Sequence, residues 1–187
     1  MSTEKHPFQP FLPENARILF LGSFPPQPHR WCMPFYYPNW INDFWRIMGL
    51  IHFGDKEHFC VPGEKRFDEA AIRTFCTEAG LAFYDTATEV RRLKDNASDA
   101  FLEVVTPTDI LALLTRIPHC KTLVTTGEKA SQIVAQTFCC DVPAVGGHTV
   151  IPNVAKKPIT FWRMPSTSRA FPMKLEKKAE AYRQLFI

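Results

Sequence analysis

The sequence predicts an α/β domain in which helices cover both faces of a mostly parallel sheet. Three observations carry this. Short apolar runs alternate with segments of helical period along the chain. The first run, residues 16–22 (ARILFLG), is continuously apolar after Arg17, as in a strand buried on both faces. Three of the four runs then pass into loops dense in Ser, Thr, Pro or Asn, the arrangement that places ligands at the carboxyl edge of a parallel sheet.

Taken in order, residues 1–15 hold three Pro and little periodicity and read as an irregular arm. The run 16–22 ends in GSFPPQP. In FYYPNWINDFWRIMGL, Trp40, Phe44, Ile47 and Met48 recur at helical spacing, with Pro38 and Asn39 as starter and cap. Loop chemistry at 54–66 precedes FDEAAIRTFCTEAG, an amphipathic helix closed by Gly80. LAFYDTAT, 81–88, is strand-like and carries one carboxylate, Asp85; the polar stretch 89–105 has no clear period.

Thr106, Pro107 and Asp109 predict a helix start, with DILALLTRI running to Pro118. KTLVTTG, 121–127, is a third strand and GEKASQIVAQTF the helix after it. Residues 141–157 read as a loop or a hairpin around Gly146 and Gly147. ITFWRMPS, 159–166, is the fourth strand, and PSTSRAF passes into a terminal helix with Leu175, Ala179, Tyr182 and Phe186 on one face. Right-handed crossovers bring the strands near 17–22, 82–86, 121–125 and 159–163 to one edge.

Composition bounds the function. A length of 187 residues, 45% of them hydrophobic, suits one domain spanning 1–187. A net charge of +3 is far below that of a polybasic protein, so any nucleic-acid surface is local. No run approaches a membrane span and the start MSTEKHPFQPF lacks the features of a secretion signal, so a soluble, cytoplasmic protein without membrane contact is expected. The six Cys (32, 60, 76, 120, 139, 140) contain no C-x-x-C pair and read as small buried hydrophobes, and the six His lack ligand spacing. Neither a metal nor an iron–sulfur cluster is expected. Dinucleotide, P-loop, nucleophile-elbow and zincin motifs are absent from the sequence.

Candidate chemistry lies in the loops. Residues 165–169 (PSTSR) offer hydroxyls, backbone N–H groups at a helix start and one cation, which together suit a phosphate. Asn39, Asn42 and Asp43 lie among Tyr36, Tyr37, Trp40, Phe44 and Trp45, where amides beside rings read and stack a base; otherwise Asn39 is a cap and the rings are core.

Four strings in one order, LGSFPP (21–26), YYPNWINDFW (36–45), LVTTGEKA (123–130) and MPSTSRAF (164–171), resemble the uracil-DNA glycosylase superfamily. Within it the chain is most similar to the hypoxanthine-DNA (deoxyinosine) glycosylase branch, over residues 16–172. The resemblance implies a three-layer α/β/α sandwich around a short four-stranded, mostly parallel sheet. It also implies a monomer without cofactor that extrudes a damaged base from DNA and hydrolyses its N-glycosidic bond. Asn42 then matches the implicated amide, with Asp43 and Asp85 as carboxylates able to accept a proton. Gly22, Ser23, Phe24, Tyr37, Asn39, Phe44 and Thr126 would surround the base. Pro25, Ser166, Thr167, Ser168 and Arg169 would contact DNA.

The chain departs from better-known branches at Phe24, where they carry Asp, Glu or Asn, and at Met164, where some carry His. Thr126 stands where relatives have Asn, and Arg169 where the hypoxanthine branch tends to have Pro. The substrate expected is DNA with hypoxanthine or uracil. The alternatives are a DNA-damage-binding module that has lost catalysis and a nucleoside-acting enzyme on the same scaffold.

Overall fold

A computed structural model describes residues 2–94 and 99–187. Met1 of the expected arm and residues 95–98 of the polar stretch lie outside the described residues. In chain order the elements are β1 (Glu4–Lys5), β2 (Ile18–Gly22), α1 (Phe44–Phe53), α2 (Glu69–Ala79), β3 (Leu81–Asp85), β4 (Ala87–Arg92) and β5 (Leu102–Pro107). There follow α3 (Ile110–Arg116), β6 (Thr122–Thr125), α4 (Glu128–Phe138), β7 (Gly147–Val154), β8 (Lys157–Arg163) and α5 (Leu175–Arg183).

The main sheet has the order β3-β2-β6-β8-β7. Its first four strands are parallel and end nearly level, with Gly22 opposite Asp85, Leu21 opposite Thr125 and Thr125 opposite Arg163. The expected four parallel strands are thus present, but the sheet is five-stranded and mixed, because β7 pairs antiparallel with β8. The hairpin turns at Ala155 and Lys156, with φ of 51° and 68°, and not around Gly146 and Gly147. Two consecutive left-handed residues are what a two-residue hairpin requires, yet neither is the Asn or Gly that usually marks it. Pro152 is tolerated because β7 is an edge strand whose register is irregular between Ile151 and Val154.

A second, three-stranded antiparallel sheet, β1-β4-β5, corrects two further expectations. The arm is not wholly irregular, since Glu4 and Lys5 pair with Val90 and Glu89, and Phe11 exchanges backbone hydrogen bonds with Phe83 at 2.9 and 3.0 Å. The polar stretch 89–105 contributes two strands whose apolar contribution is small: Ala87, Val90 and Leu102 are buried, with Phe24 and Val104 packed on them. Cross-strand pairs do the rest, Arg92 with Glu4 at 3.0 Å and Arg91 with Glu103 at 2.8 Å.

Helix ends follow capping chemistry. Asp68 and Asp109 accept hydrogen bonds from Ala71 and Ala112, and Gly80 closes α2 at φ 68°. Thr106 and Pro107 end β5 and are not the start of α3, because Asp109 supplies the cap. The helix after YYPNW starts at Phe44, so Asn39 is not its cap and Trp40 stands outside it. Likewise α5 begins at Leu175, which leaves 165–169 as a loop without a helix start.

Right-handed crossovers put α1 and α2 on one face of the main sheet and α3 and α4 on the other. The shared core on the α1 side is aromatic: Phe20 stacks on Phe83 at 5.3 Å and meets Phe44 edge-on at 5.2 Å. Tyr182 of α5 approaches Phe44 on the same side at 6.4 Å. Among the cysteines Cys76 and Cys120 are buried as expected, but Cys139 is exposed at the left-handed end of α4. No described helix is long and apolar enough to cross a membrane.

One buried ion pair joins α5 to the approach to α1: Lys178 Nζ donates to Asp43 Oδ2 at 2.9 Å and to the Ser168 carbonyl at 2.8 Å. Lys178 is fully buried. Lys178→Met keeps the volume but leaves the buried carboxylate with only a long 3.4 Å contact from the exposed Arg169, and breaking such a buried pair costs about 3–5 kcal/mol. The expected result is a markedly lower urea midpoint; an unchanged midpoint would contradict this role.

Candidate functional site

The level carboxyl edge of β2, β3, β6 and β8 opens into a cleft of about 660 Å³. The first loop, the 36–42 segment, the end of β3, Thr126 and the 166–172 loop all contribute to its lining. Of the residues expected from the sequence, Gly22, Ser23, Phe24, Pro25, Tyr37, Asn39, Asn42, Asp85, Thr126, Ser166, Thr167, Ser168 and Arg169 line it; Asp43 and Phe44 do not.

The two exceptions have physical reasons. Asp43 is buried, and besides Lys178 it accepts a long contact of 3.4 Å from Arg169 Nε, so it is an anchor off the cleft lining. Phe44 is wholly buried and lies parallel to Tyr37 at 3.9 Å, supporting that ring from behind. Tyr37 is therefore the aromatic surface of this pair at the cleft. Its hydroxyl hydrogen-bonds Thr126 Oγ1 at 2.9 Å, and burial pushes the phenol far above its ordinary pKa, so it remains neutral.

Asn42 is set by its neighbours. Its Oδ1 accepts from the Phe44 N–H at 2.9 Å, and Arg46 Nη1 donates to the carbonyls of Trp40 and Asn42 at 2.8 and 3.2 Å. With Oδ1 so engaged, Nδ2 is the group Asn42 offers as a donor. Asn39 Oδ1 accepts from the Ile41 N–H at 3.1 Å, a local turn that leaves Ile41 exposed on the rim.

The floor beside Gly22 is acidic. A Cβ on Gly22 would stand 2.4 Å from Asp85 Oδ1, so only glycine lets the carboxylate lie there. Asp85 Oδ2 accepts from His6 Nε2 at 2.8 Å, and both side chains are largely buried. His6 comes from the arm, which offers no spacing or periodicity to flag it. Asp99, also missed, lines the cleft and accepts from Ser23 Oγ at 2.6 Å. Burial raises its carboxyl above the ordinary range and the nearby Asp85 charge adds to this, against the opposing effects of Ser23, Lys129 and Arg92. No signal in its polar stretch distinguishes Asp99 from Asp95.

Phe24 and Met164 are both committed to packing. Phe24 reaches the lining while its ring lies 5.2 Å from that of His6 and against the small sheet. Met164 is buried, its N–H bonded to the Thr125 carbonyl at 2.9 Å.

The second loop is held from beneath. Tyr182 Oη donates to the Pro165 carbonyl at 2.8 Å, the Asp43 N–H to the Thr167 carbonyl at 2.9 Å, and Lys178 to that of Ser168. The carbonyls thus point inward. Ser168 and Arg169 are exposed, and each serine hydroxyl caps a following N–H, Ser166 that of Ser168 and Ser168 that of Ala170, at 3.2 Å. A second rim cation, Arg30, has its Nε buried without a hydrogen-bond partner among the described residues. No group of three or more His, Cys, Asp or Glu among them is placed to hold a metal ion.

No protein-family model matches the chain, and no curated protein matches it. Among solved structures, the chain is similar to a candidate uracil DNA glycosylase from Methanosarcina acetivorans determined by solution NMR. The likeness covers 100% of both chains at 20% sequence identity, with a TM-score of 0.65. At that identity the two share an α/β fold over their whole length.

Proposed function

We propose that this chain is a single-domain, monomeric DNA glycosylase of the cytoplasm that excises a deaminated base, hypoxanthine or uracil, without a cofactor. The observation that carries the reading is the convergence of the 22–26 loop, Tyr37 with Asn42, and the 166–169 loop on one cleft at the carboxyl edge of the sheet. The glycosylase-like fold supports it.

In this reading the duplex lies across the carboxyl edge. Ser166, Ser168 and the rim cations Arg169 and Arg30 hold phosphates, and the target nucleotide swings into the cleft at a cost of a few kcal/mol. The exposed Ile41 on the rim fills the vacated stack. The extruded ring rests on Tyr37. As the C1′–N bond lengthens, negative charge grows on the base, and Asn42 Nδ2 donates to it. Hypoxanthine and uracil both present an acceptor oxygen for that donor.

A second reading, a damage-binding module, is favoured by one observation: Phe24 and Met164 are both committed to packing and neither can move a proton.

Incubation with labelled duplexes carrying uracil, hypoxanthine or xanthine, scored for alkali-labile sites, separates the two. Release from at least one lesion is expected; tight lesion binding with no release from any would establish the module. Asn42→Ala is expected to slow release by about 10²–10³-fold, the worth of one transition-state donor, with the fold intact. Undiminished release would remove Asn42 from the chemistry. Arg169→Ala should lower the salt dependence of duplex binding by about one phosphate-equivalent, and an unchanged slope would remove Arg169 from the interface.

A further inference from the structure

Hydrolysis of the glycosidic bond requires the attacking water to give up a proton, and the ring of Phe24 cannot take it. That same ring packs on the small sheet, however, and Asp99, shortly before β5, lines the cleft. Resting on the glycosylase reading, we propose that Asp99 is a catalytic residue, the base that accepts a proton from the water attacking C1′, with Ser23 as its positioning residue.

The geometry sets Asp99 between two strand ends. Ser23, just past β2, holds Oδ1 at 2.6 Å, while Oδ2 lies 3.5 Å from where a Cβ on Gly127, just past β6, would stand. The carboxylate therefore spans adjacent parallel strands at the middle of the edge, beside Thr126. Among the described residues Asp85 is the other acid on the lining, but one of its oxygens is engaged by His6 and the other lies against Gly22.

The surroundings suit proton acceptance. Burial, reinforced by Asp85, raises the proton affinity of Asp99, against the opposing effects of Ser23, Lys129 and Arg92. The Tyr37 phenol stays neutral and is no rival base. A carboxylate shifted towards neutrality is a stronger acceptor at working pH than an ordinary one. In the step, the water oxygen bonds to C1′ as the C1′–N pair leaves with the base, and the water proton passes to Asp99. Asp99 then returns that proton to the departed base or to solvent. One water is consumed, and one abasic site and one free base result.

The test is single-turnover release from a hypoxanthine duplex with wild type, Asp99→Asn and Asp85→Asn. Asp99→Asn is expected to lose about 10²–10⁴-fold in rate, as for removal of a general base, with unchanged affinity for a duplex carrying an abasic analogue. The wild-type rate should rise with pH through an acid limb above the ordinary carboxylate range, and that limb should vanish in the variant. Stability gives an independent sign. A carboxyl whose folded pKa is raised penalises folding above that pKa, so Asp99→Asn should match or exceed wild type in unfolding midpoint at pH 7. Any advantage should disappear as the pH falls below the ordinary carboxylate range. Asp99→Asn with the wild-type rate and acid limb, while Asp85→Asn loses both, would overturn the role of Asp99 alone. A wild type that releases no base from any lesion would overturn the glycosylase reading together with it.

Discussion

The level ending of β3, β2, β6 and β8 is the constraint on which the site depends. Parallel pairing in register brings Gly22, Asp85, Thr125 and Arg163 to one line, and each loop that follows leaves from that line. At its centre the missing side chain of Gly22 admits Asp85 across the strand boundary, and Asp85 in turn receives His6 from the arm. The arm continues through β1 into the small sheet, so an interstrand vacancy of one methyl group connects the sheet edge with a distant part of the chain.

The opposite wall is governed by charge. Lys178 and Asp43 are taken out of water together, and the lysine satisfies a carbonyl of the second loop at the same time. Such a pair adds little net stability over a well-packed apolar replacement. Its consequence is geometric: the loop is fastened by its carbonyls to α5 and to the approach of α1, which turns Ser168 and Arg169 outward. Asn42 sits one residue before Asp43, so the amide and the loop are positioned by the same anchor.

Much of this was legible in the sequence, and the gaps have causes. The buried strands were readable because both faces are apolar, as in 18–22 and 81–85, and α2 was readable from Gly80 and its amphipathic period. β4 and β5 were not, because their buried apolar residues are few, Ala87, Val90 and Leu102 with Val104 packed on them, and ion pairs such as Arg91 with Glu103 cross between the strands. The β7–β8 turn was misplaced because Ala155 and Lys156 adopt left-handed conformations that their residue types do not advertise. At the site, glycine, amide and serine positions stood out through the four strings, and the cleft gathers them. Asp43 and Phe44 share the same string, yet helical geometry turns both inward. His6, Arg30 and Asp99 arrive by tertiary contact alone, from segments with no period and no motif.

The central claim is that this edge receives an extruded nucleotide. A crystal structure with a duplex carrying 2′-fluoro-2′-deoxyinosine, whose glycosidic bond resists cleavage, tests it most directly. The account requires the hypoxanthine ring out of the helix and against Tyr37, within hydrogen-bond reach of Asn42 Nδ2, with flanking phosphates at the 166–169 loop. A base left stacked in the duplex, or DNA bound to another face of the domain, would contradict it.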